Sequence, residues 1–323
     1  MTILIRKFTP KDTRDWDEFV LNSNNGTIFH TRKFLGYHPP DHFKDNSLIF
    51  EKKGNILALL PAAIIRSEKE KILISHPGAS VGALVVSENI SFAETLSLTK
   101  KLVEYAKDQK INKVQLTIPP IIYSHKPSHY LDFSFQKQGF TYKKREMSSI
   151  LFLEDTIEQN LKKFKPTHRT AVRKGIKSGI EVNQSEDIQS FYKILENNLS
   201  IRHNVKPTHT LEELTKLIKM FPEEIQLTAA FYKNKMIGGV VNFCVNRQVM
   251  LAFYISHLPE FQEMRPLNTL FYHIFDKAIS KGYTIYDFGI FTVGESPNMG
   301  LARFKENFGA SGIFRDTLEL NLT

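Results

Sequence analysis

Lys281-Gly282-Tyr283-Thr284-Ile285-Tyr286-Asp287-Phe288-Gly289 is the stretch that decides the fold of this 323-residue chain. It predicts a strand over 284–288, and the periodicity of the preceding residues predicts an amphipathic helix over 268–280. A second segment with charge and glycine, Phe304-Lys305-Glu306-Asn307-Phe308-Gly309, follows. Helix, strand and glycine-bearing exit in this order are typical of α/β folds, which bind ligands at the carboxyl ends of strands. We therefore expect the chemistry of the chain near this end.

The elements outside this stretch occur in the same order twice. Each half reads as helices, then an antiparallel meander of three strands, then a loop, a helix and a strand. The meander covers 47–75 in the first half and 226–256 in the second. The halves share this order without clear sequence identity, which suggests duplication of one α/β unit. We predict two tandem lobes, residues 1–153 and 154–323, each a mixed, mostly antiparallel sheet flanked by helices.

Composition favours a protein of a reducing compartment with anionic partners. The net charge of +9 suits nucleic acid, acidic lipid or phosphate-bearing metabolites, and a plain solubility role remains open. Cys244 is the single cysteine, which excludes an internal disulfide and a cysteine zinc site. No apolar run reaches the ~20 residues that span a bilayer, and the N-terminus lacks the apolar run of a signal peptide. We expect a cytoplasmic protein without a transmembrane segment, for which peripheral contact with a membrane stays open.

Several common sites are absent from the sequence. His125 and His129 have the spacing of two metal ligands on a helix, but Pro127 between them argues against a helical face. We predict no metal site. The chain has no Gly-x-Ser-x-Gly elbow, no phosphate-binding P-loop and no dinucleotide-binding fingerprint.

A run of positive charge precedes the second meander. Arg169 and Arg173 are four residues apart and share a face of a predicted helix. Such a segment suits phosphate groups or the backbone of a nucleic acid, although a solvated helix face explains it equally well. Nothing here resembles a recognised nucleic-acid module, so DNA is not an expected partner. The cations are Lys162, Lys163, Lys165, Arg169, Arg173, Lys174 and Lys177.

Arg265-Pro266-Leu267-Asn268 begins the helix over 268–280. Proline and asparagine are ordinary residues for a helix start. The free N–H groups of such a start can also hold an anion. Arg265 and Asn268 are therefore candidates, with Arg169 and Arg173, for binding the phosphates of a donor.

Three residues near the second meander are candidate catalytic groups. Asp287 ends its strand, where a carboxylate can take a proton from an attacking amine or cap a turn. Lys305 lies between phenylalanines, where its charge can stabilise an oxyanion or contact a phosphate. Tyr254 ends the last meander strand and can donate to a leaving group or pack in the core. A structural role is open for each of them.

The irregular stretch 22–45 offers aromatic and cationic residues together. Such a loop is long for a connector and suits a phosphorylated or sugar-bearing acceptor. Any long surface loop contains similar residues. The candidates for binding an acceptor are Phe29, His30, Lys33 and Tyr37.

Three groups of residues in the second half resemble a known family. The first is the basic helix that runs from Arg169 into Ile180. The second is Lys281-Gly282 followed by Tyr286-Asp287-Phe288-Gly289. The third is Gly300-Leu301 followed by Phe304-Lys305 and Phe308-Gly309. Together with the order of elements, these resemble the FemAB-like transferases, which are tandems of two lobes of the GNAT acyltransferase fold.

The resemblance implies transfer of an acyl or aminoacyl group to an amine by direct attack. In the peptidoglycan-bridge members the donor is aminoacyl-tRNA and the acceptor is a cell-wall precursor. The long helical hairpin of those members has no counterpart here, and residues 257–267 lack the glycines of a CoA pyrophosphate loop. The donor is thus acyl-CoA or aminoacyl-tRNA, and no tightly bound cofactor is expected.

Two alternatives remain at this point. One is an acyl-CoA-dependent N-acyltransferase that acts on a small molecule. The other is a protein without catalytic activity that binds a polyanion, such as tRNA, or a cell-wall precursor on a degenerate acyltransferase scaffold.

Overall fold

The chain folds into two compact units. The computed structural model describes residues 3–39, 42–68, 70–203, 206–294 and 296–322, without the side chains of 201–203. The first unit comprises Met1–Glu146 together with Phe314–Thr323. The second comprises Met147–Ile313.

The first unit contains all elements up to residue 137. Its helices are α1 (Thr13–Asn22), α2 (Arg32–Leu35), α3 (Phe92–Asp108) and α4 (Tyr130–Lys137). Its strands are β1 (Leu4–Lys7), β2 (Lys44–Asp45), β3 (Leu48–Lys52), β4 (Asn55–Leu60), β5 (Ala62–Arg66), β6 (Lys71–Ser75), β7 (Val85–Val86) and β8 (Lys113–Thr117).

The division between the units falls inside two strands, β9 (Thr141–Phe152) and β17 (Ser311–Asn321). The helices of the second unit are α5 (Ile157–Lys163), α6 (Pro166–Lys177), α7 (Ile188–His203), α8 (Leu211–Met220), α9 (Pro266–Ser280) and α10 (Met299–Glu306). Its other strands are β10 (Glu181–Ser185), β11 (Ile225–Tyr232), β12 (Lys235–Cys244), β13 (Val249–His257), β14 (Ile285–Ile290), β15 (Thr292–Val293) and β16 (Ser296–Pro297).

The strands of the first unit form two sheets. One has the order β1-β3-β4-β7 and is antiparallel, and the other runs β17-β8-β6-β5-β2 with one parallel pair, β6 and β8. Helix α3 supplies the crossover that a parallel pair requires. It starts at a capping box, because the Ser91 side chain accepts from the Glu94 N–H and Glu94 reaches back to Ser91. Its inner face, Leu98, Leu102 and Ala106, is fully buried.

The main sheet of the second unit has the order β10-β11-β12-β13-β14-β9, and β15 and β16 form a separate antiparallel pair. Strands β13 and β14 are parallel and all other neighbours are antiparallel. Helix α9 is the crossover between the parallel strands. Phe271 and Phe275 on this helix are fully buried against Tyr286, Phe288 and Phe308, which explains the many phenylalanines of this half.

The structure differs from the sequence-based expectations in three places. The last strand, β17, was not foreseen, and its residues Thr317–Asn321 pair with β8 of the first unit. Residues Phe314–Thr323 therefore group with the first unit, whereas the sequence analysis assigned all of 154–323 to one lobe. The sequence predicts a strand over 148–153, whereas strand β9 begins earlier, at Thr141. The basic run 162–177 is divided between the end of α5 and a separate helix, α6, which begins at Pro166.

Candidate functional site

The parallel strands β13 and β14 separate part-way along their length. They pair at three positions, Val249 with Ile285, Met250 with Tyr286 and Leu251 with Asp287. Beyond these, β13 continues to His257 beside β12, and β14 continues beside β9. An opening at the carboxyl ends of two neighbouring strands is where α/β sheets bind ligands. We call the place beyond Leu251 and Asp287 the strand opening.

A bulge in β13 lies beside the strand opening. Val241 of β12 pairs with Tyr254 and the next residue, Asn242, pairs with Ala252, so Phe253 has no partner. A bulge of this kind takes a peptide group out of the hydrogen-bond ladder and re-aims it. The edge of β13 that faces β14 is also unpaired from Ala252 onward among the described residues. Strand β13 therefore carries backbone donors that the sheet does not use.

Tyr254 lies in this strand with its hydroxyl engaged by a histidine. The hydroxyl accepts from the backbone N–H of His209 at 3.0 Å and lies 2.9 Å from Nδ1 of the same residue. The tautomer of His209 decides which of these two atoms donates. Burial raises the pKa of Tyr254 to about 12. The hydroxyl that the sequence analysis named as a possible proton donor is therefore hydrogen-bonded within the protein.

The other two candidate catalytic residues lie at the exit of β14. Asp287 is fully buried, and its Oδ1 accepts from Ser148 Oγ at 2.5 Å and from the Gly289 N–H at 2.6 Å. Lys305 is 1% exposed, and its Nζ donates to the carbonyls of Gly289 at 2.6 Å and Ile290 at 2.9 Å. The structure brings Asp287 and Lys305 together on one turn of backbone, with their polar atoms engaged by protein groups.

The start of α9 differs from the exit of β14 in how its buried polar atoms are hydrogen-bonded. Arg265 caps it in the left-handed region, at φ 61°, without a side-chain hydrogen bond to the helix. Asn268 and Thr269 are buried, and neither Asn268 Nδ2 nor Thr269 Oγ1 has a hydrogen-bond partner. The start of a 15-residue helix carries a partial positive charge. This end of α9 thus combines a positive potential with two buried polar atoms that lack partners, as an anion site requires.

Helix α6 brings further positive charge to the start of α9. The two helices pack closely at Gly175, where an added methyl group would lie 2.0 Å from Thr269 Oγ1. Burial lowers the pKa of His168 on α6, and the positive charges of Arg265 and Lys165 lower it further. His168 is therefore close to Arg265 at the start of α9. The buried Nε2 of His168 has no hydrogen-bond partner.

The basic segment itself is mostly unpaired. Lys163 is used within the protein, in an ion pair with Glu154 and a bond to a carbonyl. Arg173 is exposed and Arg169 is partly exposed. Within the described residues, no ion pair involves Lys162, Lys165, Arg169, Arg173, Lys174 or Lys177. These cations are available to a negatively charged ligand.

The four candidate acceptor residues do not form a surface together. Phe29, His30 and Tyr37 are buried, and only Lys33 is exposed. His30 bonds through Nδ1 to Thr27 and through Nε2 to the carbonyl of Gly82, and burial lowers its pKa to about 4. The geometry of these three residues is that of a core.

Nearby, the first unit holds a column of imidazoles that the sequence analysis did not single out. His42, His38 and His76 stack with ring centroids 5.7 and 6.1 Å apart, and Phe43 meets all three at a steep angle. His76 is buried and its Nδ1 has no partner. Among the described residues, no group of three or more His, Cys, Asp or Glu is arranged to hold a metal ion. The described helices also include none that is long and apolar enough to cross a membrane.

Sequence reasoning missed four polar residues of the second unit. They are Ser148, His168, His209 and Thr269. Thr269 follows a recognised helix start and could have been included on that ground. Ser148 and His209 are far in sequence from the residues that they contact, and no local pattern marks them.

Comparison with known proteins agrees with this geometry. Residues 162–306 match the model of the acetyltransferase (GNAT) domain. The crystal structure of FemX superposes with a TM-score of 0.76 at 14% identity, covering 99% of this chain and 97% of FemX. The chain has a FemAB-like tandem GNAT fold. No curated protein matches the sequence.

Other solved structures share the tandem GNAT fold at lower similarity. The C-terminal domain of a putative lysylphosphatidylglycerol synthetase from Agrobacterium fabrum has a TM-score of 0.60 at 12% identity, covering 97% of this chain and 92% of that one. A tandem GNAT protein from the clavulanic acid biosynthesis pathway has a TM-score of 0.58 at 8% identity, covering 99% and 98%. The expected fold class is therefore confirmed.

Proposed function

We propose that this chain transfers an acyl or aminoacyl group from a phosphate-bearing donor to an amine. The observation that carries the proposal is the strand opening beside the bulge at Phe253. Backbone N–H groups fixed in a sheet suit the oxygen of a tetrahedral intermediate, because they need no reorganisation as charge develops. The GNAT match over 162–306 and the tandem fold support the same class of reaction.

The donor would lie along the start of α9 and the basic face of α6. Asn268 Nδ2 offers a hydrogen bond that the described residues do not use. Within the part of the chain that the structure describes, Arg265, Arg169 and Arg173 form no ion pair, so their charge is available to a donor. Side chains here would take the place of the glycine-loop amides that residues 257–267 lack. This arrangement suits the phosphates of CoA or the backbone of an aminoacyl-tRNA.

The acceptor amine would attack the acyl carbon directly at the strand opening. The new bond joins the amine nitrogen to the acyl carbon, the bond to the donor's leaving group breaks with its electron pair on the leaving group, and the leaving group takes up the proton that the amine loses. No covalent enzyme intermediate is needed, and holding donor and acceptor together supplies much of the rate. The FemAB-like resemblance favours a cell-wall precursor as acceptor, and a small-molecule amine is the alternative.

The test is calorimetric titration of the whole chain with acetyl-CoA, with CoA and with an aminoacylated tRNA microhelix, followed by transfer to amine acceptors. A bound donor at about 100 times its Kd adds roughly 2.7 kcal/mol to stability. A steep fall of affinity with salt would identify the RNA donor, because each phosphate contact releases a counterion. Binding of none of these, by a folded sample, would contradict the proposal.

A matched pair of variants places the donor. Arg173→Ala removes one exposed positive charge from α6, and we expect it to weaken donor binding about tenfold, as loss of a charge-assisted phosphate contact does. Lys219→Ala removes one exposed positive charge from α8, a helix that packs on α7 and β11 instead. Equal loss in both variants would mean that only net charge matters and that α6 is not the donor site.

A further inference from the structure

Hydrogen bonds link four residues at the carboxyl end of β14. We call them the exit network: Ser148, Asp287, Gly289 and Lys305. Ser148 and the Gly289 N–H both donate to Asp287 Oδ1. Lys305 Nζ donates to the two carbonyls that follow, of Gly289 and Ile290. Asp287 thus holds one side of this turn of backbone and Lys305 holds the other.

The backbone inside the exit network is in an unusual conformation. Gly289 has φ 75°, in the left-handed region that glycine adopts without strain. The pairing of β14 with β9 shifts register between Asp287 and Ile290, so the turn is also a bulge. A Cβ at Gly289 would lie 3.5 Å from the carbonyl oxygen of Ala252 on β13. The exit network therefore shapes the backbone where β13 and β14 part.

The burial of these side chains argues against direct contact with a substrate. Asp287 is fully buried and Lys305 is 1% exposed. Two donors converge on one carboxylate oxygen, and two carbonyls converge on one ammonium group. Burying such charges is costly unless hydrogen bonds compensate, and the four bonds of the exit network provide that compensation.

We propose that Ser148, Asp287 and Lys305 are positioning residues that hold Gly289 and Ile290 at the strand opening, and that none of the three exchanges a proton with substrate. This rests on the proposed function, because the strand opening is where transfer would take place. Asp287 acts through the Gly289 N–H, and Lys305 acts through the two carbonyls. The sequence analysis gave Asp287 as a candidate base or turn cap and Lys305 as a candidate contact to an oxyanion or a phosphate, and left a structural role open for both.

Two substitutions of one residue separate positioning from proton transfer. Asp287→Asn keeps an oxygen that accepts from Ser148 and Gly289 but removes the basic group, whereas Asp287→Ala removes both. If Asp287 is a positioning residue, kcat should fall by less than about tenfold in the Asp287→Asn variant and by much more in the Asp287→Ala variant. The pH profile of the Asp287→Asn variant should keep the shape that it has in the parent chain. Equal losses in the two variants, or loss of the acidic limb of the profile in Asn, would make Asp287 the base and overturn the proposal.

A second readout does not depend on any activity. Amide hydrogen exchange over 286–292 should be as slow in Asp287→Asn as in the parent chain, and about tenfold faster in Asp287→Ala and in Lys305→Met. Unchanged exchange in Asp287→Ala and Lys305→Met would overturn the proposal. If the parent chain transfers no acyl group from any donor, the proposed function fails, and this readout still decides the role of the exit network.

A milder pair covers the case in which Asp287→Ala does not fold. Ser148→Ala removes one donor of the exit network, and Ser149→Ala makes the same change at the next buried position of β9, on the opposite face. We expect faster exchange over 286–292 in Ser148→Ala alone. The same exchange rates in both serine variants would count against the exit network.

Discussion

The start of α9 and the exit of β14 belong to the same β13-α9-β14 crossover unit. They differ in whether their buried polar groups have hydrogen-bond partners. At the exit of β14, the carboxylate of Asp287 and the ammonium of Lys305 each have at least two partners. At the start of α9, Asn268 Nδ2 and Thr269 Oγ1 have none among the described residues. A buried polar group without a partner costs about 1–3 kcal/mol, which a ligand that bonds to it would recover. A group with its partners in place serves the protein itself.

The largest effect that we expect comes from removing a satisfied group. Lys305→Met removes the ammonium group that donates to the half-buried carbonyls of Gly289 and Ile290, which should lower the free energy of unfolding by about 3 kcal/mol. Urea denaturation at neutral pH measures this. A loss below about 1 kcal/mol would show that the two bonds contribute little and would remove one side of the comparison.

The same contrast recurs between two histidines of the first unit. Both have a pKa lowered to about 4 by burial, but His30 has partners at both ring nitrogens and His76 Nδ1 has none. At pH 7.5, His30→Leu should therefore lower the free energy of unfolding by about 2 kcal/mol more than His76→Leu does. The reason is that His30→Leu leaves Thr27 and the carbonyl of Gly82 without the hydrogen bonds to the His30 ring. If denaturant titrations gave the same loss of unfolding free energy for both variants, the hydrogen bonds of His30 would not account for a difference between the two histidines.

Acid should affect both histidines in the same direction. The unfolded chain binds a proton near pH 6.5 and the folded chain only near pH 4, so stability is full above pH 6.5 and falls as pH drops toward 4. For each histidine the loss between pH 7.5 and pH 5 should be about 2 kcal/mol. In His30→Leu and in His76→Leu, the loss of stability between pH 7.5 and pH 5 should be smaller by the contribution of the histidine that was removed. A parent chain equally stable at both values would contradict the assignment.

A smaller effect tests whether Thr269 faces α6. Gly175→Ala would place a methyl group 2.0 Å from Thr269 Oγ1, and such overpacking costs about 1–3 kcal/mol. Adding Thr269→Ala removes the obstructing hydroxyl and should recover most of that loss. Thermal unfolding of the two single variants and the double variant measures the coupling. Additive losses would place the obstruction elsewhere.

The smallest expected effect sharpens the comparison most. Asn268→Leu removes a buried polar side chain whose Nδ2 has no partner among the described residues, so the free energy of unfolding should not fall, while donor affinity falls about tenfold. Denaturation and calorimetry on the same sample separate the two quantities. A large loss of stability with unchanged affinity would assign Asn268 to the structure.

The sequence predicted those features that depend on local pattern. The tandem α/β fold followed from the order of elements. Strand β17 was missed because its partner β8 lies about two hundred residues earlier in the chain, so no local pattern fixes its register. Long-range pairing of this kind is read from the structure alone.

For the candidate site, the sequence named individual residues but not the surroundings of each side chain. Asp287 and Lys305, two of the predicted candidates, lie together at the exit of β14. Their burial depends on Ser148 and on the turn at Gly289, which no spacing reveals. Likewise, the engagement of Tyr254 by His209 depends on the packing of the loop before α8.

Strand β17 has a consequence for how the chain folds as it is made. All strands of the second unit's sheet lie between residues 147 and 290, in one continuous stretch. The first unit completes its sheet only with residues 317–321, which leave the ribosome after the whole second unit. Because domains generally fold in the order of synthesis, the earlier part of this chain is the one that must wait. During that interval the edge of β8 that β17 will cover is open, and open strand edges are where newly made chains pair with the wrong partner.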